Sequence, residues 1–174
     1  MSSTLHALEN WDGKSTADLQ EIYNKLNSQS LAFELVPILP HHPVAVTWLI
    51  KHATEQGTQL TGEDCVALIE HLLQTQHWQS MLHILQISAH LTIPNKYVKP
   101  LYANLRHKLS HTNKLIRACS YQALSNLTKQ YPEYEKEVVE LLNMALNDEV
   151  SSVKARIRIV LRSQQSLLFN KNLP

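Results

Sequence analysis

Apolar residues recur at helical spacing almost from one end of the chain to the other. In ADLQEIYNKLN, Leu19, Ile22, Tyr23 and Leu26 share one face of a helix that starts at Ser15. A second helix is expected over residues 31–39, and the PHHP run at 40–43 breaks it. Pro43 suits the first turn of a third helix, where its missing N–H costs nothing. That helix carries Val46, Leu49, Ile50 and Ala53, and Gly57 ends it. Thr61, with Asp64 three residues later, predicts the cap of a fourth helix over 62–76.

His77 and Trp78 lead into a fifth helix, whose expected buried face holds Leu82, Leu85 and Ala89. Pro94 opens a sixth, and Pro100 within its first turns predicts a kink or a later start. A seventh is expected over 112–130, with Ile116, Cys119, Ala123 and Leu127 in register. Pro132 opens an eighth, with Val138, Leu141, Leu142 and Ala145 on one face. Asn147 and Asp148 break it before a ninth, which begins near Val150.

The ninth segment is ambiguous at first sight. KARIRIVLR alternates basic and apolar residues much as an exposed strand would. At 100° per residue, however, Val150, Val153, Ile157, Val160, Leu161 and Leu168 fall in one sector of a helix. A strand would put Val160 and Leu161 on opposite faces and would find no partner strand elsewhere. The segment is read as helix.

Every second helix starts at a near-constant interval, at about Pro43, Trp78, Asn113 and Val150, in steps of 35, 35 and 37 residues. Regular spacing of helix pairs marks an α-solenoid, in which each pair buries its faces on its neighbours. The last two units also match in residue type. A shift of 37 places Ile116 on Val153, Arg117 on Lys154, Ala118 on Ala155, Ala123 on Val160 and Leu124 on Leu161. With Asp148 ahead of the second of these helices, the pattern resembles the HEAT repeat family. In that family the second helix follows an Asp and opens with a Val-Arg pair. The resemblance is best over 111–165. It departs at His111, which stands where the family has Asp, and at Lys154, which stands for the Arg. Up to about residue 92 only the helix spacing matches. No W-x2-L-G-x2-Y signature points instead to tetratricopeptide repeats.

The expected fold is therefore all-α: a right-handed α-solenoid of antiparallel helix pairs, with about nine helices. The expected organisation is a loosely packed or poorly ordered segment at 1–14, one helical-repeat domain at 15–168 and a short tail at 169–174.

Composition agrees with helices. The 174 residues include only 3 Gly, and 44% are hydrophobic, which argues against wholesale disorder. Cys65 and Cys119 form no CxxC pair and read as reduced, buried thiols of a cytoplasmic protein. The N-terminus has neither a basic start nor an apolar run, so no signal peptide is expected. No stretch approaches the roughly 18 apolar residues of a membrane span. The net charge of +1 hides an asymmetry: residues 1–87 carry −6 and residues 88–174 carry +7. Such a split fits a polyanionic partner or head-to-tail self-association, and drift in surface charge is the bland alternative.

Candidate chemistry is sparse. Among ten His, the pairs His107/His111 and His83/His90 have same-face helical spacing. A zinc site needs three or four ligands, and no Cys or carboxylate completes either pair, so no metal is expected. No HEXXH, G-x-S-x-G, P-loop or G-x-G-x-x-G occurs, and no enzyme activity or cofactor is expected.

The positive feature is basic. Lys154, Arg158 and Arg162 stand at i, i+4 and i+8 on the ninth helix, with Arg156 on the other flank and Ile159 opposite the core. Lys114 and Arg117 occupy the related helix one repeat earlier. In HEAT-like folds this second helix lines the concave surface, so the resemblance implies one shared groove of Lys114, Arg117, Lys154, Arg158, Ile159 and Arg162. Arg117 and Lys154 sit at the repeat's own basic position, which favours structural roles for these two. The expected function is a non-catalytic protein-binding adaptor or scaffold that takes a partner with an acidic segment. A nucleic-acid-binding protein of the same architecture ranks second, because no aromatic series accompanies the ridge for stacking on single strands. A solvated face on a terminal capping helix is the structural alternative.

Overall fold

The computed structural model describes residues 3–26 and 35–171, with side chains at 4–26 and 35–163. These residues form nine α-helices. They are α1 (Ser3–Glu9), α2 (Thr16–Lys25), α3 (Pro43–Glu55), α4 (Gly62–Gln74) and α5 (Trp78–Gln86), then α6 (Asn95–Lys108), α7 (Lys114–Gln130), α8 (Glu135–Asp148) and α9 (Ser151–Lys171). Short 3-10 turns lie at Val36–Ile38, Ser88–His90 and Pro132–Tyr134. No strand occurs among the described residues, so the fold is all-α.

Contacts divide the chain into two compact units, residues 1–94 and 95–174. In the first, α2 packs on α3, α3 on α5 and α4 on α5. In the second, α6, α8 and α9 all pack on α7, and α8 packs on α9. The helices that share the 35–37-residue period therefore touch inside each unit, α3 with α5 and α7 with α9. The division also follows the charge: residues 1–94 carry −6 and residues 95–174 carry +7.

The local signals act where the sequence puts them. Pro43 lies in the first turn of α3. That helix stops at Gly57, whose φ of +99° allows Thr58 N–H to reach Ala53 O and Gly57 N–H to reach Thr54 O. This is a Schellman stop, and glycine supplies its left-handed residue without a Cβ penalty. Thr61 and Asp64 make a reciprocal capping box on α4. Asn113 caps α7 by accepting from Leu115 N–H. The core of the first unit includes Leu49, Ile50, Leu68, Ile69 and Ile84. That of the second includes Leu101, Leu105, Ile116, Leu124, Leu142 and Ile157.

Several expectations change. Residues 31–34 of the helix expected over 31–39 lie outside the described residues, and Leu35 leads straight into the 3-10 turn. In α5 the buried face is Met81, Ile84 and Leu85, while Leu82 is half-buried and Ala89 exposed. The α-helix ends at Gln86, and the tighter 3-10 turn that follows turns Ala89 to solvent. α6 starts at Asn95 and runs through the exposed Pro100. Val150 stands just ahead of α9 and is 49% exposed, so it leaves the apolar sector. Leu168 lies outside the described side chains. Within 1–14, α1 forms and buries Leu8.

Candidate functional site

α9 is held by one face. Val153, Ile157 and Val160 are buried against α7 and α8. Ala155, Arg156, Arg158 and Arg162 are exposed, and so is Ile159, at 56%. The two flanks are told apart by what they touch. Lys154 Nζ donates to the Asn147 carbonyl at the end of α8, at 2.9 Å. Arg156, on the other flank, is near enough to Cys119 of α7 for its charge partly to offset the burial that pushes that thiol up. The row Lys154, Arg158, Arg162 therefore begins on the α8 side and runs out over the solvent face.

Arg117 is not free to take a ligand. Its Nε and Nη2 donate to Glu149 Oε1 and Oε2 at 2.8 and 2.9 Å, and its Nη1 donates to the carbonyls of His111 and Thr112. Both side chains of the pair are mostly buried, at 17% and 10% exposure. The hydrogen-bonded carboxylate holds Arg117 above its usual range. Lys114 is the first residue of α7 and is exposed there. A cation at a helix N-terminus opposes the helix dipole, so it adds nothing to the helix itself.

Of the six residues expected to form one groove, Arg158, Ile159 and Arg162 thus present a common exposed surface. Arg117 and Lys154 are engaged in holding α7 and α9 to the end of α8. No carboxylate pairs with Arg156, Arg158 or Arg162 among the described residues.

A cleft of about 650 Å³ lies beside this ion pair, which the sequence did not reveal. Leu109, Tyr121, Leu141 and Ala145 give it an apolar lining, and Met144 stands 63% exposed on it. Arg106, His111 and Asp148 add polar groups. Arg106 is itself paired, through Nη1, with Glu137 Oε1 at 2.6 Å. Burial, then the neighbouring Glu149, raise the Tyr121 phenol above its usual range. Methionine normally reads as core, so nothing in the sequence marked Met144 as exposed. A signal for Glu149 did exist: it is an acid beside Asp148, just ahead of α9.

The histidines serve structure. His83 Nδ1 meets Thr47 Oγ1 at 3.0 Å, and His71 Nε2 meets Ser80 Oγ at 2.8 Å. Thr47 already donates its hydroxyl to Pro43 O at 2.7 Å, so His83 is the donor to Thr47. His90 and His107 are exposed, and His111 Nδ1 accepts from Asn113 N–H. Among the described residues no group of three or more His, Cys, Asp or Glu could hold a metal ion. Cys65 is buried, accepts from Thr92 N–H, and has its thiol pushed up by burial. A protonated, enclosed thiol is a poor nucleophile. No described helix is long and apolar enough to cross a membrane. What the described surface offers is electrostatic and apolar contact: exposed guanidinium groups around Ile159.

No family model, no curated protein and no solved structure matches the chain.

Proposed function

We propose that this protein is a non-catalytic adaptor or scaffold, built as a short HEAT-like solenoid, that captures an acidic segment of a protein partner. The repeat reading draws support from the packing of α3 on α5 and of α7 on α9, the helix pairs that share the 35–37-residue period. The Arg117–Glu149 pair supports it further, because it ties one repeat's basic position to an acid of the next.

The observation that carries the binding role is the outer face of α9. Arg158 and Arg162 are exposed beside Ile159 and have no carboxylate partner among the described residues. Guanidinium groups suit bidentate capture of carboxylates, and an exposed Ile adds apolar contact at the centre of such a patch. Affinity purification from the native cell, followed by mass spectrometry, tests the reading. The Arg158→Glu/Arg162→Glu variant is expected to lose the wild-type partners and keep its far-UV circular dichroism. Recovery of the same partners by that variant sinks the proposal.

The +7 charge of residues 95–174 favours nucleic acid as a second reading. A salt titration on duplex DNA separates the two. Counterion release predicts steeply salt-dependent binding that still reaches sub-micromolar affinity at physiological salt, whereas the adaptor reading predicts none.

A further inference from the structure

The flank of α9 that carries Arg158 and Arg162 has a counterpart inside the same unit. The shift of 37 that lays α7 on α9 pairs core with core: Ile116 with Val153 and Ala123 with Val160, all buried. The same shift pairs Tyr121 with Arg158 and Ser125 with Arg162. In α7 these two positions are covered, at 6% and 0% exposure, and Tyr121 lines a cleft together with Leu141 and Ala145 of α8. In α9 both are exposed. The third residue of the row behaves likewise. Arg117 finds Glu149 in the segment that follows α8, while its counterpart Lys154 finds only a carbonyl. Tyr121 and Ser125 are thus covered in α7 where Arg158 and Arg162 are open in α9, and all three positions of the α9 row carry a cation.

We infer that α9 takes the acidic N-terminal unit of a second copy of this chain, so that copies associate head to tail. This rests on the reading of α9 as a docking surface and names its occupant. The charges are complementary, −6 over residues 1–94 against +7 over residues 95–174. The first unit supplies matching groups on α2, which packs on α3 and exposes Asp18 and Glu21. An interface of this head-to-tail kind uses two different surfaces, so assembly grows with concentration.

Sedimentation velocity on the full chain tests it. Wild type is expected to sediment faster as its concentration rises at low salt, and to return to monomer at high salt. Arg158→Glu/Arg162→Glu alone and Asp18→Arg/Glu21→Arg alone are each expected to remain monomeric. Mixed together, the two variants offer one native and one charge-swapped junction, so they are expected to co-assemble where neither does alone. A wild type that stays monomeric at low salt up to high micromolar concentration overturns the inference, as does a mixture that fails to pair. If wild type is monomeric while Arg158→Glu/Arg162→Glu still loses its cellular partner, self-stacking falls and the adaptor reading stands. If wild type self-associates and the variant keeps every cellular partner, the reverse holds.

Discussion

At the scale of single residues, Arg117 and Glu149 are the most consequential pair. Two parallel N–H···O bonds join them, and two carbonyls take further donors from the same guanidinium. Removing one member leaves the other charge mostly buried without its partner, which costs more than the intact pair contributes. Arg117→Met is expected to lower unfolding stability by about 3 kcal/mol. Glu149→Leu is expected to cost a similar amount, and the double variant much less than their sum. Urea denaturation of the four proteins gives the coupling directly. Additive losses would show that Arg117 is not held by Glu149, and would return it to the set of groups free to meet a partner. The sequence singled out Arg117 but could not name its acid, because Glu149 comes from 32 residues further on.

At the scale of helices, the chain announces where elements begin and end better than which way they face. Pro43, Gly57, Thr61, Asn113 and Pro132 act through their own backbone geometry or a side chain within three residues, so their effect is legible locally. Facing depends on what comes next. The apolar pattern of α5 suggests Leu82, Leu85 and Ala89; Leu85 is buried with Met81 and Ile84, while the change to 3-10 geometry after Gln86 turns Ala89 to solvent. The cleft beside α7 was not legible at all, because residues from α6, α7 and α8 meet there only in the folded unit. The exposed arginines of α9 were legible because one helical wheel sufficed to place them. The capping box of α4 gives the clearest test of a local signal. Thr61 Oγ1 accepts from Asp64 N–H while Asp64 Oδ2 accepts from Thr61 N–H. Thr61→Ala is expected to cost about 1 kcal/mol in chemical denaturation, and Thr61→Ser to cost little. An alanine variant as stable as wild type would mean that packing alone starts this helix.

At the scale of the molecule, the two units differ in more than charge: the histidines kept neutral by burial lie in the first, and the phenols raised by burial lie in the second. In the first, His83 and His71 lie below the usual imidazole range, both mainly because burial disfavours the charged ring, and His83 falls to about 4. A histidine held neutral in the fold takes up a proton more readily once unfolded. Its contribution is therefore present above about 6.5, the unfolded value, and is lost as pH falls from there toward about 4. For His83 the loss is on the order of 2 kcal/mol, since it remains largely enclosed by the fold. In the second unit the shifted groups sit at alkaline pH. Burial, with Glu137 alongside, pushes the Tyr102 phenol up to about 12, and Tyr121 moves in the same direction. Their contribution is intact below the unfolded value near 10 and is lost as pH rises through the folded one. The chain carries its own reporters for this contrast. Trp11, Trp48 and Trp78 all lie in residues 1–94, and five of the six Tyr lie in residues 95–174. Tryptophan fluorescence during urea unfolding is expected to show a midpoint that drops between pH 6.5 and pH 4. Tyrosine absorbance over the same interval is expected to move less, and then to shift between pH 10 and pH 12. His83→Gln keeps a donor for Thr47 and cannot take a proton, so it is expected to flatten the acid branch of the tryptophan signal alone. An acid branch unchanged by that substitution would place the proton elsewhere. Coincident tryptophan and tyrosine midpoints at every pH would mean that the two units unfold as one.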